Sequence, residues 1–238
     1  MKRKKGYRRV ILKISGEGLG SSQGGGIDTG EVKFLGKEIL SAANAGCQLA
    51  VVIGGGNIVR GTRFRKMGIS PATSDYMGML ATVINALALQ DIIEKMGGKT
   101  RLMTAIPMEA VAEPFIRRRG IRHLEKGRIV ILAGGTGNPH FTTDTAAALR
   151  ATELDAQALL KATKVDGVYS ADPLINPNAK KYRALSYLDV LNNHLGVMDS
   201  TAITMCMENN IPIIVFNLKP KGNIIRAMRQ EKVGTIIR

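Results

Sequence analysis

Four short segments of this chain combine glycine with residues able to hold an anion. The first is Ala133–Asp144, AGGTGNPHFTTD. Gly134, Gly135 and Gly137 leave room for a ligand to touch the backbone. Pro139 stiffens the second half of the loop. Thr142, Thr143 and Asp144 sit where helix N-caps sit. Free N–H groups and the positive end of a helix dipole suit a phosphate there. Taken alone, the loop reads equally well as a glycine-rich connection with ordinary capping. The second segment is Lys13 with Ser15-Gly16. Lys13 is the one cation in the apolar run VILKI. Exposed at a strand's end, it reaches a phosphate as a point charge; the competing reading is an edge lysine that snorkels to water. The third is Gly54-Gly55-Gly56-Asn57, with Arg60 close enough to share its ligand. Arg63, Arg65 and Lys66 read as surface charge. The fourth is Ala162–Pro173, too polar and turn-rich for an element interior. Its Tyr169 is either a base-stacking platform or a packed loop tyrosine.

These groups suit phosphoryl transfer, which rests mostly on positioning and charge stabilisation. No general base stands out, and none is needed if the acceptor is itself an ionised phosphate. The G-x-x-x-x-G-K-[ST] loop is absent, and neither Gly54–Val59 nor Gly135–His140 completes G-x-G-x-x-G. No Ser/His/Asp or Cys/His arrangement is evident.

The elements that must position these segments alternate. Strands are expected at Val10–Ile14, Gln48–Ile53, Thr100–Thr104, Arg128–Leu132, Gln157–Lys161, Ile213–Phe216 and Thr235–Arg238. Helices are expected at Thr29–Ala45 behind Asp28, Tyr76–Met96 capped by Ser74-Asp75, Met108–Arg119, Thr145–Thr152, Ser186–Asn192, Ser200–Asn209 capped by Asp199, and Asn223–Arg229. Leu19–Gly26 (LGSSQGGG) reads as a mobile loop outside the core. The alternation predicts an α/β fold with a mainly parallel sheet covered on both faces. Ligands bind such sheets beyond the strands' carboxyl ends. All four segments fall there and make one large site.

The 238 residues suit one domain, 1–238, with a basic, solvated arm over residues 1–8. The formal charge of +15 favours an anionic partner. Cys47 and Cys206 stand in apolar contexts, so neither a disulfide framework nor a metal site is expected. His123 reads as surface. No apolar run approaches a membrane span, no secretory h-region follows the basic start, and a cytoplasmic protein is expected.

Six stretches then carry a resemblance: KISGE (Lys13–Glu17), VVIGGGNIVRG (Val51–Gly61), DYMGMLATVINALAL (Asp75–Leu89), GTGNPHFTTDTAAALR (Gly135–Arg150), KATKVDGVYSADP (Lys161–Pro173) and VMDSTA (Val197–Ala202). Together they resemble the bacterial uridylate kinases of the amino-acid-kinase superfamily, from about Arg9 onward. The resemblance implies a three-layer αβα sandwich. It implies transfer of the γ-phosphate of ATP, with Mg2+ carried mainly on the nucleotide phosphates, to UMP. It also implies a homohexamer, GTP activation and UTP inhibition. By position, Lys13, Ile14, Ser15, Gly16, Gly56, Arg60, Thr163, Tyr169 and Asp172 would serve ATP. Gly55, Asp75 and the run Thr136, Gly137, Asn138, Pro139, His140, Phe141, Thr142, Thr143 would serve UMP, with Asp75 on the ribose hydroxyls. Lys13, Arg60 and Asp144 would be catalytic. Ser21, Ser22, Gln23, Gly24, Gly25 and Gly26 would form the GTP-linked loop. His140 stands where the family often has Phe, and the basic arm lies outside the family pattern.

Two other readings compete. One is a kinase of the same superfamily acting on a carboxylate or carbamate, separated by nucleotide recognition at Asp75 and Asn138. The other is a basic nucleic-acid-binding regulator, for which no motif and few stacking aromatics are present.

Overall fold

A computed structural model describes residues 6–21, 25–60, 64, 66–173 and 175–238. Its central sheet has nine strands in the order β4-β3-β5-β2-β1-β6-β8-β9-β7. They are β1 (Arg9–Ile14), β2 (Gln48–Ile53), β3 (Thr100–Thr104), β4 (Glu113–Pro114), β5 (Ile129–Ala133), β6 (Ala158–Thr163), β7 (Ala184–Leu185), β8 (Ile213–Asn217) and β9 (Gly234–Ile237). Every pairing is parallel except β8 with β9. Near-continuous apolar strands such as IVILA in β5 are what a sheet buried on both faces requires.

The helices are α1 (Thr29–Asn44), α2 (Pro71–Lys95), α3 (Arg117–Glu125), α4 (Thr143–Glu153), α5 (Tyr187–Asn192), α6 (Ser200–Glu208) and α7 (Asn223–Met228). The period-2 alternation of β1 sorts the core. Val10, Leu12 and Ile14 face α1, α2 and α7, whereas Ile11 faces α3, α4, α5 and α6. Leu160 and Leu159 of β6 divide in the same way. The result is three layers, with the core split across the sheet.

Several expectations are corrected. The helix expected over Met108–Arg119 is absent. Pro114 removes a backbone donor and pushes Glu113 towards extended backbone, so β4 forms there and Arg117–Arg119 open α3 instead. Helix α2 begins at Pro71 behind Ser70, whose Oγ accepts the Thr73 N–H at 3.3 Å. Ser74 and Asp75 therefore lie inside the helix and do not cap it. Leu19, expected in a mobile loop, is fully buried. His123 is also buried, with Nε2 3.1 Å from Glu113 and Nδ1 2.9 Å from Arg128. Cys47 and Cys206 are free and buried. Burial pushes each thiol up to about 12, which removes them as nucleophiles at neutral pH.

Helix α2 is 25 residues long and apolar enough, by length and composition, to cross a membrane. The expectation that no such run exists is corrected accordingly. Ala81, Ala86, Leu89 and Ile93 of this helix belong to the core. On its outer side Tyr76, Leu80, Ile84 and Leu87 are between 39% and 49% exposed, spaced by four, four and three residues.

Candidate active site

Two lysines stand side by side in the middle of the sheet. Lys13 of β1 and Lys161 of β6 are register partners. Each lies one period-2 step beyond an apolar residue of the α4-facing core, Ile11 and Leu159. Their side chains are only 11% and 13% exposed. Burying two ammonium groups together needs a counter-charge, which Asp144 provides from the first turn of α4. Lys13 Nζ lies 2.8 Å from Asp144 Oδ1, and Lys161 Nζ donates to Oδ2 at 2.7 Å. The Oδ1 contact is an ion pair without a well-aligned hydrogen bond, so Oδ1 keeps an unfilled acceptor direction. Lys161 Nζ also donates to the Val197 carbonyl. Burial alone would push the Asp144 carboxyl up; Lys13 and Lys161 outweigh it and hold the group below its ordinary range. Burial pulls Lys161 down, against the opposing field of Asp144.

Asp144 is placed by its helix end. Thr142 caps α4, its Oγ1 accepting the Asp144 and Thr145 N–H groups at 3.0 and 3.1 Å. The Thr142 hydroxyl donates in turn to Asp199 Oδ2 at 2.5 Å, and Thr145 Oγ1 donates to Asp199 Oδ1 at 2.8 Å. Asp199 itself caps α6, as expected from sequence. The loop before α4 needs its glycines. At Gly134, with φ +76°, a Cβ would lie 2.8 Å from Thr104 Oγ1.

Two cavities adjoin the elements that carry this cluster, although Lys13 and Asp144 themselves line neither. One, of about 570 Å3, is lined by Lys161, Thr163, Tyr169 and Asp172. The residues expected on the ATP side of the fourth loop thus converge there. Asn193 and His194 also line it. The Tyr169 hydroxyl donates to Asp166 at 2.5 Å, which fixes the ring's edge and leaves its faces open to stacking. The other cavity, of about 250 Å3, is lined by Gly55, Gly56, Asp75, Phe141, Thr142 and Thr143 among others. Phe141 is 52% exposed and forms part of this wall. Thr136, Gly137, Asn138, Pro139 and His140 do not line it. They form the outer part of the loop, where Thr136 Oγ1 accepts the Asn138 N–H at 3.2 Å. Asp75 reaches that outer part, Oδ2 accepting the His140 N–H at 2.8 Å. His140 has a positive φ of 71°, so the bond fixes a strained residue.

Other expected residues are placed differently. Lys13 is neither exposed nor on an edge strand, since β1 is interior to the sheet. Ser15 Oγ accepts the Glu17 N–H at 3.3 Å and caps a 3-10 turn over Gly16–Gly18. Ile14 is core. Arg60 lines neither cavity. Its guanidinium pairs with Glu17 at 3.1 Å, and Lys164 meets the same carboxylate at 3.1 Å. Of the loop linked to GTP by resemblance, Ser22, Gln23 and Gly24 lie outside the described residues. Ser21 Oγ donates to the Gly25 carbonyl at 3.3 Å, and the Gly26 N–H donates to Asn57. Arg63 and Arg65 also fall outside the described residues.

The amino acid kinase family model matches residues 8–217. The chain belongs to the amino acid kinase family. Solved structures of members agree over nearly the full length. The UMP kinase of Bacillus anthracis is 40% identical, with a TM-score of 0.95, covering 98% of this chain and 97% of that one. The UMP kinase of Ureaplasma parvum is 35% identical, with a TM-score of 0.91 and coverages of 97% and 98%. The uridylate kinase of Archaeoglobus fulgidus is 32% identical, with a TM-score of 0.74 and coverages of 96% and 99%. The nine-stranded, mainly parallel sheet flanked by helices is the expected amino-acid-kinase architecture.

Lys161 is absent from the residues expected at the site, although the sequence carries a signal for it. ALLKAT carries one lysine inside an apolar strand, as VILKI does. Two such strands in one sheet point to a shared buried anion. Asp199 was read only as a cap, and its second task of holding Thr142 depends on tertiary packing.

Proposed function

We propose that this kinase transfers the γ-phosphate of ATP to UMP, giving UDP and ADP. The observation that carries the reading is the Lys13–Asp144–Lys161 cluster at the head of α4, with Lys161 lining one cavity and Thr142 and Thr143 lining the other. ATP would occupy the cavity of Thr163, Tyr169 and Asp172, and UMP that of Gly55, Gly56 and Asp75. The γ-phosphorus bond to the β,γ-bridging oxygen breaks, and a new bond forms to a UMP phosphate oxygen. That oxygen is ionised at neutral pH, so no proton is removed. Asp144, held below its ordinary range, stays a carboxylate and does not act as a base. It orients the two lysines, which spread positive charge over the transferring group. Arg60 lines neither cavity and pairs with Glu17.

Mg2+ is implied by this chemistry. Hard divalent cations take oxygen ligands. Asp144 meets a lysine at each carboxylate oxygen, and among the described residues no group of three His, Cys, Asp or Glu side chains could hold a metal. The residues therefore suit a cation carried on the nucleotide phosphates, where it would neutralise phosphate charge.

The deciding experiment is ADP release measured with UMP, CMP, dUMP, carbamate and aspartate. UMP should be preferred; equal turnover of CMP or of a carboxylate would overturn the assignment. The similarity to UMP kinases also supports one domain over residues 1–238, a cytoplasmic setting in pyrimidine nucleotide synthesis, GTP activation and UTP inhibition. The exposed Tyr76–Leu80–Ile84–Leu87 stripe supports self-association, proposed as a homohexamer. Light scattering that shows a monomer would count against it.

Asp75 gives a narrower test. Its carboxylate lines the smaller cavity, and we assign it to the UMP ribose hydroxyls. Hydrogen bonds to a charged group contribute about 1.5–3 kcal/mol, roughly 10–100-fold in affinity. Asp75→Asn keeps an acceptor for the His140 N–H, and Ser70 still caps α2. The variant should raise KM for UMP by about tenfold and erode discrimination against dUMP, with Tm and KM for ATP nearly unchanged. Early melting with normal UMP binding would reduce Asp75 to a loop tether.

A further inference from the structure

Behind the two glycine turns lies a polar pair that the reaction does not use. Asn57 follows Gly54-Gly55-Gly56, and Asn85 lies in α2; they are 7% and 0% exposed. Their amides bond reciprocally. Asn57 Nδ2 donates to Asn85 Oδ1 at 3.0 Å, and Asn85 Nδ2 donates to Asn57 Oδ1 at 2.7 Å. Each amide has one further donor direction, spent on a glycine carbonyl: Asn85 Nδ2 donates to Gly54 at 2.7 Å, and Asn57 Nδ2 to Gly26 at 2.8 Å. All four N–H bonds are filled.

The consequence follows from peptide geometry. In a trans peptide the carbonyl and the next N–H point in opposite directions, and no cis bond occurs among the described residues. Fixing the Gly54 carbonyl on Asn85 therefore turns the Gly55 N–H the other way. Gly55 and Gly56 line the smaller cavity. Asn57 also touches the first turn. A Cβ on Gly16 would lie 2.7 Å from Asn57 Oδ1, 2.5 Å from the Gly56 nitrogen and 2.8 Å from the Gly54 oxygen. An apolar pair would fill the same space without setting any peptide's direction, and buried polar groups are costly unless they are fully bonded.

We infer that Asn57 and Asn85 are positioning residues: one amide clasp, anchored on α2, sets the Gly54–Gly56 turn against the Ser15–Gly16 turn and holds Gly26. The inference rests on the UMP kinase reading for its kinetic consequence. The clasp itself can be read without any nucleotide.

The test uses Asn85→Ala and Asn57→Ala, the double variant, and Asn57→Ser as a milder change. Hydrogen exchange of the unliganded protein should rise in peptides spanning 15–26 and 54–59 for either single variant. In steady-state assays well below each Tm, kcat should fall at least tenfold while KM for each nucleotide moves less than threefold. The double variant should be no slower than the worse single one, because breaking either side opens the clasp. Asn57→Ser, with a smaller void and one donor, should retain more activity than Asn57→Ala. A lower Tm with unchanged kcat per folded molecule, unchanged exchange in both peptides, or additive losses would each overturn the clasp. If the alanine variants do not fold, the serine variant decides on the same measurements. A parent protein inactive on UMP would sink the functional reading alone, leaving the exchange data to judge the clasp.

Discussion

Asp144→Asn is expected to lower turnover and stability together. Asparagine keeps the size of the side chain and one acceptor oxygen, but removes the charge that faces two buried ammonium groups. Removing one partner of a buried ion pair costs about 3–5 kcal/mol, or roughly 6–20 °C in Tm for a chain of this length. The sign of the pH dependence follows from the carboxyl. Its folded value is held below its ordinary 3.8, so its contribution is present above the ordinary carboxylate range and is lost as pH falls through the folded value. The Tm gap between parent and variant should thus be full at neutral pH and close on acidification below about pH 4. Lys161 adds an alkaline signature. Burial already pulls it down, and Asp144, with a smaller part from Asp199, holds it up. Without that carboxylate, the alkaline limb of kcat should move to lower pH. Turnover should fall by roughly 10²-fold or more, as when a preorganised charge array is lost. Equal melting of the two proteins at pH 7 would show that the lysines do not need the carboxylate.

The layers of the fold were legible because its elements are strongly periodic. Gln48–Ile53 and Thr100–Thr104 match the observed strands end to end, and the caps Asp28 and Asp199 were visible as residue types before apolar runs. Failures came where tertiary contacts override local pattern. Pro71 at the first helical position starts α2 a turn before Asp75, and two-residue strands such as β4 and β7 carry no periodicity at all. His123 looked like surface among arginines; only packing of α3 against β4 reveals that Glu113 and Arg128 enclose it. The site was legible as a set of loops and not as an arrangement. Spacing put glycines and Lys13 at strand ends, but could not show that Lys161 stands beside Lys13, which requires the β1–β6 pairing across most of the chain. Nor could it show that Arg60 is held by Glu17.

Lys13→Ala is expected to lower kcat by roughly 10²–10³-fold, with KM for UMP changed far less. The structure adds a stability contrast that the sequence could not supply. In Lys13→Ala, Asp144 keeps its aligned hydrogen bond from Lys161, and the mutual repulsion of two neighbouring ammonium groups is relieved, so Tm should move little. In Lys161→Ala, Asp144 retains only the poorly aligned Lys13 contact, and the Val197 carbonyl loses its donor. That variant should lose about as much turnover and clearly more stability. The double variant leaves a buried carboxylate with neither counter-charge. It should melt lowest, yet its kcat should fall by less than the product of the two single effects, because groups acting as a unit are not additive. Rates and melting curves of the three variants decide the matter. Unchanged turnover in Lys13→Ala would take Lys13 out of the chemistry and leave it as a structural partner of Asp144. Strictly multiplicative rate losses would mean that the two lysines stabilise the transferring phosphoryl group independently and not through the shared carboxylate.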